Sequence, residues 1–150
     1  MNQTKRSILN TSIHLIAQYG YAYFTLGFLT QHMHISKGVV NYHFPKKDMV
    51  FDEIVHMYTD DIKACPTLND FLDYVFHHLE FYRCVREIIQ NCRDKEGKRI
   101  YDSETVHFFD NPYQQGVLDA GCMKFLDSKS NQPEEIKQEI RQMLIAIKGA

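Results

Sequence analysis

The sequence predicts an all-α chain in two parts, and three observations lead there. Apolar residues recur at three- and four-residue spacing over most of the length. No segment alternates convincingly as a strand. The gaps between periodic runs carry helix punctuation, notably Gly20, Pro66 and Pro133. At 150 residues and 44% apolar composition the chain can bury one core. It has no apolar run of about 18 residues for a membrane span and no charged-then-apolar leader, so a soluble, cytoplasmic protein is expected. Four cysteines, at 65, 84, 92 and 122, lack CxxC spacing and read as reduced packing thiols.

The elements follow in order. Thr4 to Tyr19 carries Ile8, Leu9, Ser12, Ile13, Leu15, Ile16 and Tyr19 on one stripe, a helix that Gly20 can close with a positive φ. Thr25 can cap a short helix in which Leu26 and Leu29 fall three apart, with Met33 and Ile35 packing the turn after it. A second short helix follows, with Val40 and Phe44 on its inner face. From Lys46 the run Val50, Phe51, Ile54, Val55, Tyr58 and Ile62 makes a helix over 46–64 that Pro66 must end. Asn69 is expected to cap a longer helix through Phe71, Leu72, Val75, Phe76, Leu79, Tyr82, Val85 and Ile88-Ile89, ended before or at Gly97. A further helix is expected over about Pro112 to Leu126. Pro133-Glu134-Glu135 starts a last one, with Ile136, Ile140, Met143, Leu144 and Ile147 on its inner face. The division this suggests is a three-helix head over 1–47 and a body over 48–150, linked by helix 46–64.

Two short helices around a tight turn, covered by a longer first helix, form the layout of a helix-turn-helix. The outward face of the second short helix offers Lys37, Gly38, Val39, Asn41, Tyr42 and His43, with no carboxylate among them. Charge segregates in the same way. Residues 1–47 hold Lys5, Arg6, Lys37, Lys46 and Lys47 and no Asp or Glu, so a net charge of −2 divides into +5 there and −7 elsewhere. A polyanion is steered to such a head alone. An ordinary solvated surface is the competing reading of the five cations, and the complete absence of acid favours a nucleic-acid face.

Gly20-Tyr21, Thr25 with Leu29, Ser36-Lys37-Gly38, Tyr42-His43-Phe44 and Lys47 together resemble the N-terminal signature of the TetR family of bacterial repressors, over roughly the first 60 residues. The resemblance implies a dimeric, double-stranded operator-binding protein with no cofactor. It implies DNA contacts from Thr25, Ser36, Lys37, Gly38, Val39, Asn41, Tyr42, His43, Lys46 and Lys47. Tyr42 and His43 would meet the operator backbone, and Lys47 would hold a phosphate at a helix start that Pro45 suits. The sequence departs from the pattern at Val39, where a small hydroxyl residue is usual, and at Asn41, where a Tyr is usual. Asn41 is suited to an adenine edge and Val39 to a thymine methyl. His34 stands where the turn usually has Gly, and is strained if the backbone there is left-handed. Thr30 and Met33 replace small residues. Family members are commonly longer, and the terminal MLIAIKGA resembles their penultimate helix, so a final helix is expected to be absent, shortened or outside this chain.

In such a protein the body holds an inducer. Tyr74, His78, Tyr82, Phe81, Phe108 and Tyr113 are the candidate lining for a small apolar or aromatic molecule, with Tyr74, His78 and Tyr82 spaced four apart as the polar set. Aromatics at helical spacing are also ordinary core residues. Ile140, Leu144 and Ile147 are the candidate dimer interface. His77-His78-x-Glu80 lacks the His-Glu-x-x-His spacing of a helical zinc site, and adjacent helical residues point about 100° apart. His32, His34 and His43 lie in the head, where phosphate contact or exposure is the simpler role. No Gly-rich phosphate loop and no GxSxG elbow occurs. The expectation is therefore a non-enzymatic regulator, and the alternative is an all-helical hydrolase or small-molecule binder without DNA contact.

Overall fold

The computed structural model describes residues 2–101 and 133–146, with positions 116, 118 and 120 between them, and it is all-helical. Helix α1 spans Gln3–Tyr19. Asn2 caps it by accepting the N–H groups of Thr4 at 2.7 Å and Lys5 at 3.3 Å, which starts the helix one residue earlier than its apolar stripe suggests. Ile8, Leu9, Leu15 and Ile16 are fully buried. Ser12 is buried among them because its hydroxyl donates to the Ile8 carbonyl at 2.7 Å. Gly20 ends α1 at φ +90°, a conformation glycine alone adopts without strain.

After a single 3-10 turn at Tyr21–Tyr23 come α2 over Leu26–Met33 and α3 over Lys37–His43. Between them His34 takes φ 57° and ψ 38°, the left-handed conformation that the usual glycine would take freely. Thr30 adjusts to its buried place by donating its hydroxyl to the Gly27 carbonyl at 2.8 Å. Helix α4 spans Lys47–Lys63, with Val50, Phe51, Ile54, Val55 and Tyr58 buried. Pro45 lies two residues outside it, so Pro45 shapes the approach to α4 and not its first turn.

The long helix expected from Asn69 onward is two helices. Helix α5, Leu68–His77, is capped by Thr67, whose oxygen accepts the Asp70 N–H at 3.2 Å while its hydroxyl donates to the Asp70 carboxylate at 2.8 Å. That reciprocal pair outcompetes a cap at Asn69. His78 breaks the run at φ −135° and ψ 47°, and α6 follows over Leu79–Asn91. The carbonyls freed at the break are not orphaned. His77 Nδ1 donates to the Asp73 carbonyl at 2.6 Å and His78 Nδ1 to the Tyr74 carbonyl at 2.9 Å. Gly97 ends no helix; it sits at φ +80° in a tight hairpin after α6.

Helix α7 spans Pro133–Ala146 and packs on α5, where Lys137 pairs with Asp73. Its buried residues are Ile140 and Leu144, whereas Met143 is 54% exposed and so does not share their inner face. The side chain of Ile136, all of Ile147 and the bulk of the helix expected over 112–126 lie outside the described residues.

Contacts divide the chain into two compact units, one made of Met1–Asp61 with Glu80–Asp102 and the other of Ile62–Leu79 with Ser103–Ala150. In the first, α6 meets α1, the 3-10 turn and α4. Its Tyr82, Val85, Ile88 and Ile89 are buried, and the Tyr82 ring lies 6.2 Å from that of Tyr58. His14 Nδ1 lies 3.1 Å from Glu80 Oε1, and Glu87 Oε2 accepts the backbone N–H of Tyr21 at 3.2 Å.

Candidate nucleic-acid interface

The helix-turn-helix is built by two side-chain caps and one buried seam. Thr25 accepts the Phe28 N–H at 2.9 Å to start α2, and Ser36 accepts the Val39 N–H at 3.3 Å to start α3. Leu29 and Val40 are fully buried and Phe44 nearly so, which fixes the outward face of α3 by elimination. On that face Lys37, Gly38, Val39, Asn41 and Tyr42 are exposed, Tyr42 to 83%. His43 is half-buried and stands edge-on to the Tyr42 ring, with centroids 5.0 Å apart. Lys46 and Lys47 are exposed where α4 begins. An exposed aromatic beside a cation and an amide on an α3 surface free of carboxylates is a combination whose charge duplex DNA fits.

Lys5 belongs to the same region although the sequence singled it out only as a charge. Its ammonium lies 5.4 Å from the centre of the Phe44 ring, which brings the first turn of α1 against the end of α3. The signal was present in the acid-free N-terminal segment, but charge counting carries no direction. Tyr23, 75% exposed two residues before the Thr25 cap, is a second surface aromatic of this unit.

Next to this surface the hydroxyl of Tyr21 is hydrogen-bonded to the Cys92 thiol, and burial followed by that bond pushes the Tyr21 hydroxyl above the ordinary tyrosine range. Burial raises the Cys92 thiol as well. Tyr101 donates to the Asp52 carboxylate, and its hydroxyl is raised first by burial and then by that bond. These groups stay protonated at physiological pH and serve as fastenings between α6, the following hairpin, the 3-10 turn and α4.

The described candidate inducer residues divide between the two units. Tyr74 and His78 lie in the second unit with rings 5.0 Å apart, while Phe81 and Tyr82 lie in the first, against Tyr58. The break at His78 removes the shared face that four-residue spacing on one helix would have given His78 and Tyr82. Phe108 and Tyr113 lie outside the described residues. Ile140 at 3% and Leu144 at 1% exposure, two of the candidate interface residues, are covered within one chain. Ile147 lies outside the described residues. An open cleft of about 420 Å³ is lined by Asn10, Thr11, His14, His32 and Met33. Among the described residues no group of three or more His, Cys, Asp or Glu side chains is arranged to hold a metal ion. No described helix is long and apolar enough to cross a membrane.

Residues 8–54 match the family model of bacterial regulatory proteins, tetR family. No curated protein matches the chain. Among solved structures the fold is similar to that of the TetR family protein CprB from S. coelicolor A3(2), with a TM-score of 0.57, 15% identity, and coverage of 99% of this chain and 76% of that one. At that identity the likeness is one of fold. The capped helices, the left-handed turn and the carboxylate-free α3 surface all lie within the stretch that matches the model of bacterial regulatory proteins, tetR family, so this N-terminal segment carries that family's helix-turn-helix domain.

Proposed function

We propose that the protein is a cytoplasmic transcriptional repressor that binds a palindromic double-stranded operator as a homodimer and is released when a small apolar or aromatic molecule occupies its body. In this reading residues 1–47 form the DNA-binding domain and residues 48–150 the ligand-binding and dimerisation domain. The observation that carries it is the α3 surface, where exposed Lys37, Asn41 and Tyr42 stand over buried Val40 and Phe44 with no acid among them. Lys37, Lys46 and Lys47 neutralise phosphates. Tyr42 and His43 hold the backbone, and Val39 and Asn41 face the bases. Palindrome reading requires two α3 helices about 34 Å apart, so an inducer acts by preferring a conformation in which that spacing is lost.

The test is fluorescence anisotropy with a random-sequence duplex over a range of salt. Binding that weakens steeply with salt, and a Lys47→Ala variant whose log–log salt slope is shallower by about one unit, are the expected results. A parent protein that binds no duplex at low salt refutes the DNA reading.

A further inference from the structure

The hairpin after α6 holds a feature that the helix-turn-helix does not use. Arg93 and Arg99 face each other across an antiparallel bridge. The flanking bonds run from the Ile100 N–H to the Cys92 carbonyl at 3.2 Å and from the Asp94 N–H to the Lys98 carbonyl at 2.8 Å. Bonds outside the pair, and none within it, make Arg93 and Arg99 the non-hydrogen-bonded kind, in which Cα atoms approach to about 4.5 Å and side chains leave the same face. Two cationic side chains thereby leave one face from directly opposite positions, an arrangement that destabilises a hairpin by itself. Among the described residues no carboxylate is paired with either one.

The acid adjacent in sequence to Arg93 is committed elsewhere. The Asp94 carboxylate accepts the N–H groups of Glu96 and Lys98, each at 2.9 Å, and so organises the turn in which Gly97 takes its positive φ. Successive strand residues point to opposite faces, which places Asp94 away from the arginine pair. Lys95 and Lys98 are exposed on the same short hairpin. Sequence and backbone have thus placed two exposed arginines directly opposite each other on one face of a short hairpin.

The location identifies which anion. The hairpin grows from the unit that carries the helix-turn-helix. Its base is fastened at both ends, by Cys92 to Tyr21 and by Tyr101 to Asp52 of α4. Lys47 and Asp48, at the start of α4, lie close enough to Cys92 to act on its thiol. Asp52 is five residues beyond Lys47, about 7.5 Å along the helix axis, and a three-residue arm of strand reaches about 10 Å.

We propose that Arg93 and Arg99 together bind a backbone phosphate of double-stranded DNA, outside the contacts made by α2, α3 and the start of α4. The inference rests on the DNA-binding reading above. A planar guanidinium on each side of a phosphate gives charge-assisted hydrogen bonds without base information, so the hairpin adds affinity and register but no sequence preference.

The experiment compares the parent, Lys47→Ala and the Arg93→Gln/Arg99→Gln double variant on a random-sequence duplex, with salt titration and ethylation interference. The double variant is expected to flatten the log–log salt slope by about one unit and to lose interference at phosphates that Lys47→Ala still contacts. Its thermal midpoint at low salt, without DNA, is expected to match or exceed the parent's because the like-charge repulsion is gone, which separates lost contact from lost folding. A double variant with the parent slope and the parent interference pattern overturns the proposal. So does a pair that matters only for stabilisation by inorganic phosphate, since the site then serves a free anion. A parent that binds no duplex removes the DNA-binding reading itself, whereas binding by the parent with an unaltered double variant removes only the hairpin.

Discussion

The backbone N–H of Tyr21 donates to the Glu87 carboxylate at 3.2 Å, tying the 3-10 turn after α1 to helix α6 across 66 positions of sequence. The same carboxylate accepts the Asn91 side-chain amide at 3.2 Å. At Gly20 an added Cβ would make only an ordinary contact with this carboxylate, at 3.8 Å, so the glycine is required by its φ of +90° and not by space. Glu87→Ala leaves the Tyr21 amide without its partner, and a loss of about 1–2 kcal/mol in urea unfolding is expected. Glu87→Gln, which keeps an acceptor, should recover most of it.

The left-handed turn makes a second prediction. His34 at φ 57° carries strain of about 1 kcal/mol that glycine lacks, partly offset by the greater freedom of glycine in the unfolded chain. His34→Gly should raise the unfolding free energy by about 0.5 kcal/mol. His34→Val, β-branched at the same angles, should lower it by about 1–2 kcal/mol. The order Gly above His above Val is the measurement, and a Val variant as stable as the parent contradicts the turn conformation.

Within the recognition surface, Asn41 and Lys37 should separate in kind. Asn41→Ala is expected to narrow the gap between operator and random duplex by about 1–3 kcal/mol, with little change in salt slope. Lys37→Ala is expected to weaken both duplexes alike. Equal effects on specificity from the two variants would mean that α3 does not lie in the groove as proposed.

Alkaline stability follows from the buried thiols. Burial raises the Cys84 thiol well above its ordinary 9.0, with Glu80 and Glu87 adding to the effect. The folded chain therefore keeps a proton that the unfolded chain releases. Stability from this group is complete below pH 9.0 and declines as pH rises past it, by about 1.4 kcal/mol per pH unit. Cys84→Ala should remove one proton's worth of that slope between pH 9.0 and the onset of tyrosine ionisation, measured by urea titration.

Assembly gives a fifth prediction. Met143 and Leu144 are neighbours on α7 with opposite fates, at 54% and 1% exposure. In the proposed homodimer, Met143→Glu should shift sedimentation toward the monomer while leaving each chain folded. Leu144→Glu should instead cost about 3–5 kcal/mol of folding free energy by burying a charge. A monomer at micromolar concentration for the parent contradicts the dimer itself.

What could be read from residues alone was local. Gly20 and Thr25 announced helix ends because each acts locally, Gly20 through its own positive φ and Thr25 on the amide three residues ahead. Val40 and Phe44 declared the inner face of α3 through one helical repeat. The break at His78 was hidden because Val75, Leu79 and Tyr82 keep helical spacing straight through it. Its terminating device, two imidazoles on carbonyls of the preceding turn, has no spacing signature. The polar segment after Asn91 showed its Gly97 but not its geometry, since the Arg93–Arg99 pairing depends on Asp94 bending the chain back. Met143 and Leu144 could not be told apart by hydrophobicity. What separates them is the tertiary packing around α7, which no window over α7 contains.

Because α6 completes the first unit although α5, which precedes it in sequence, belongs to the second, the unit that carries the helix-turn-helix is not a contiguous stretch of chain. A fragment cut at residue 47, or even at Asp61, takes the recognition helix but leaves behind Tyr82, Val85, Ile88 and Ile89. A transplanted head of that kind would present the bare apolar bed on which α6 lies, and would aggregate or require a substitute helix. Grafts between relatives must therefore carry two separated segments together, and a chimera joined at a single seam tests the compatibility of α6 with its new bed before it tests any operator.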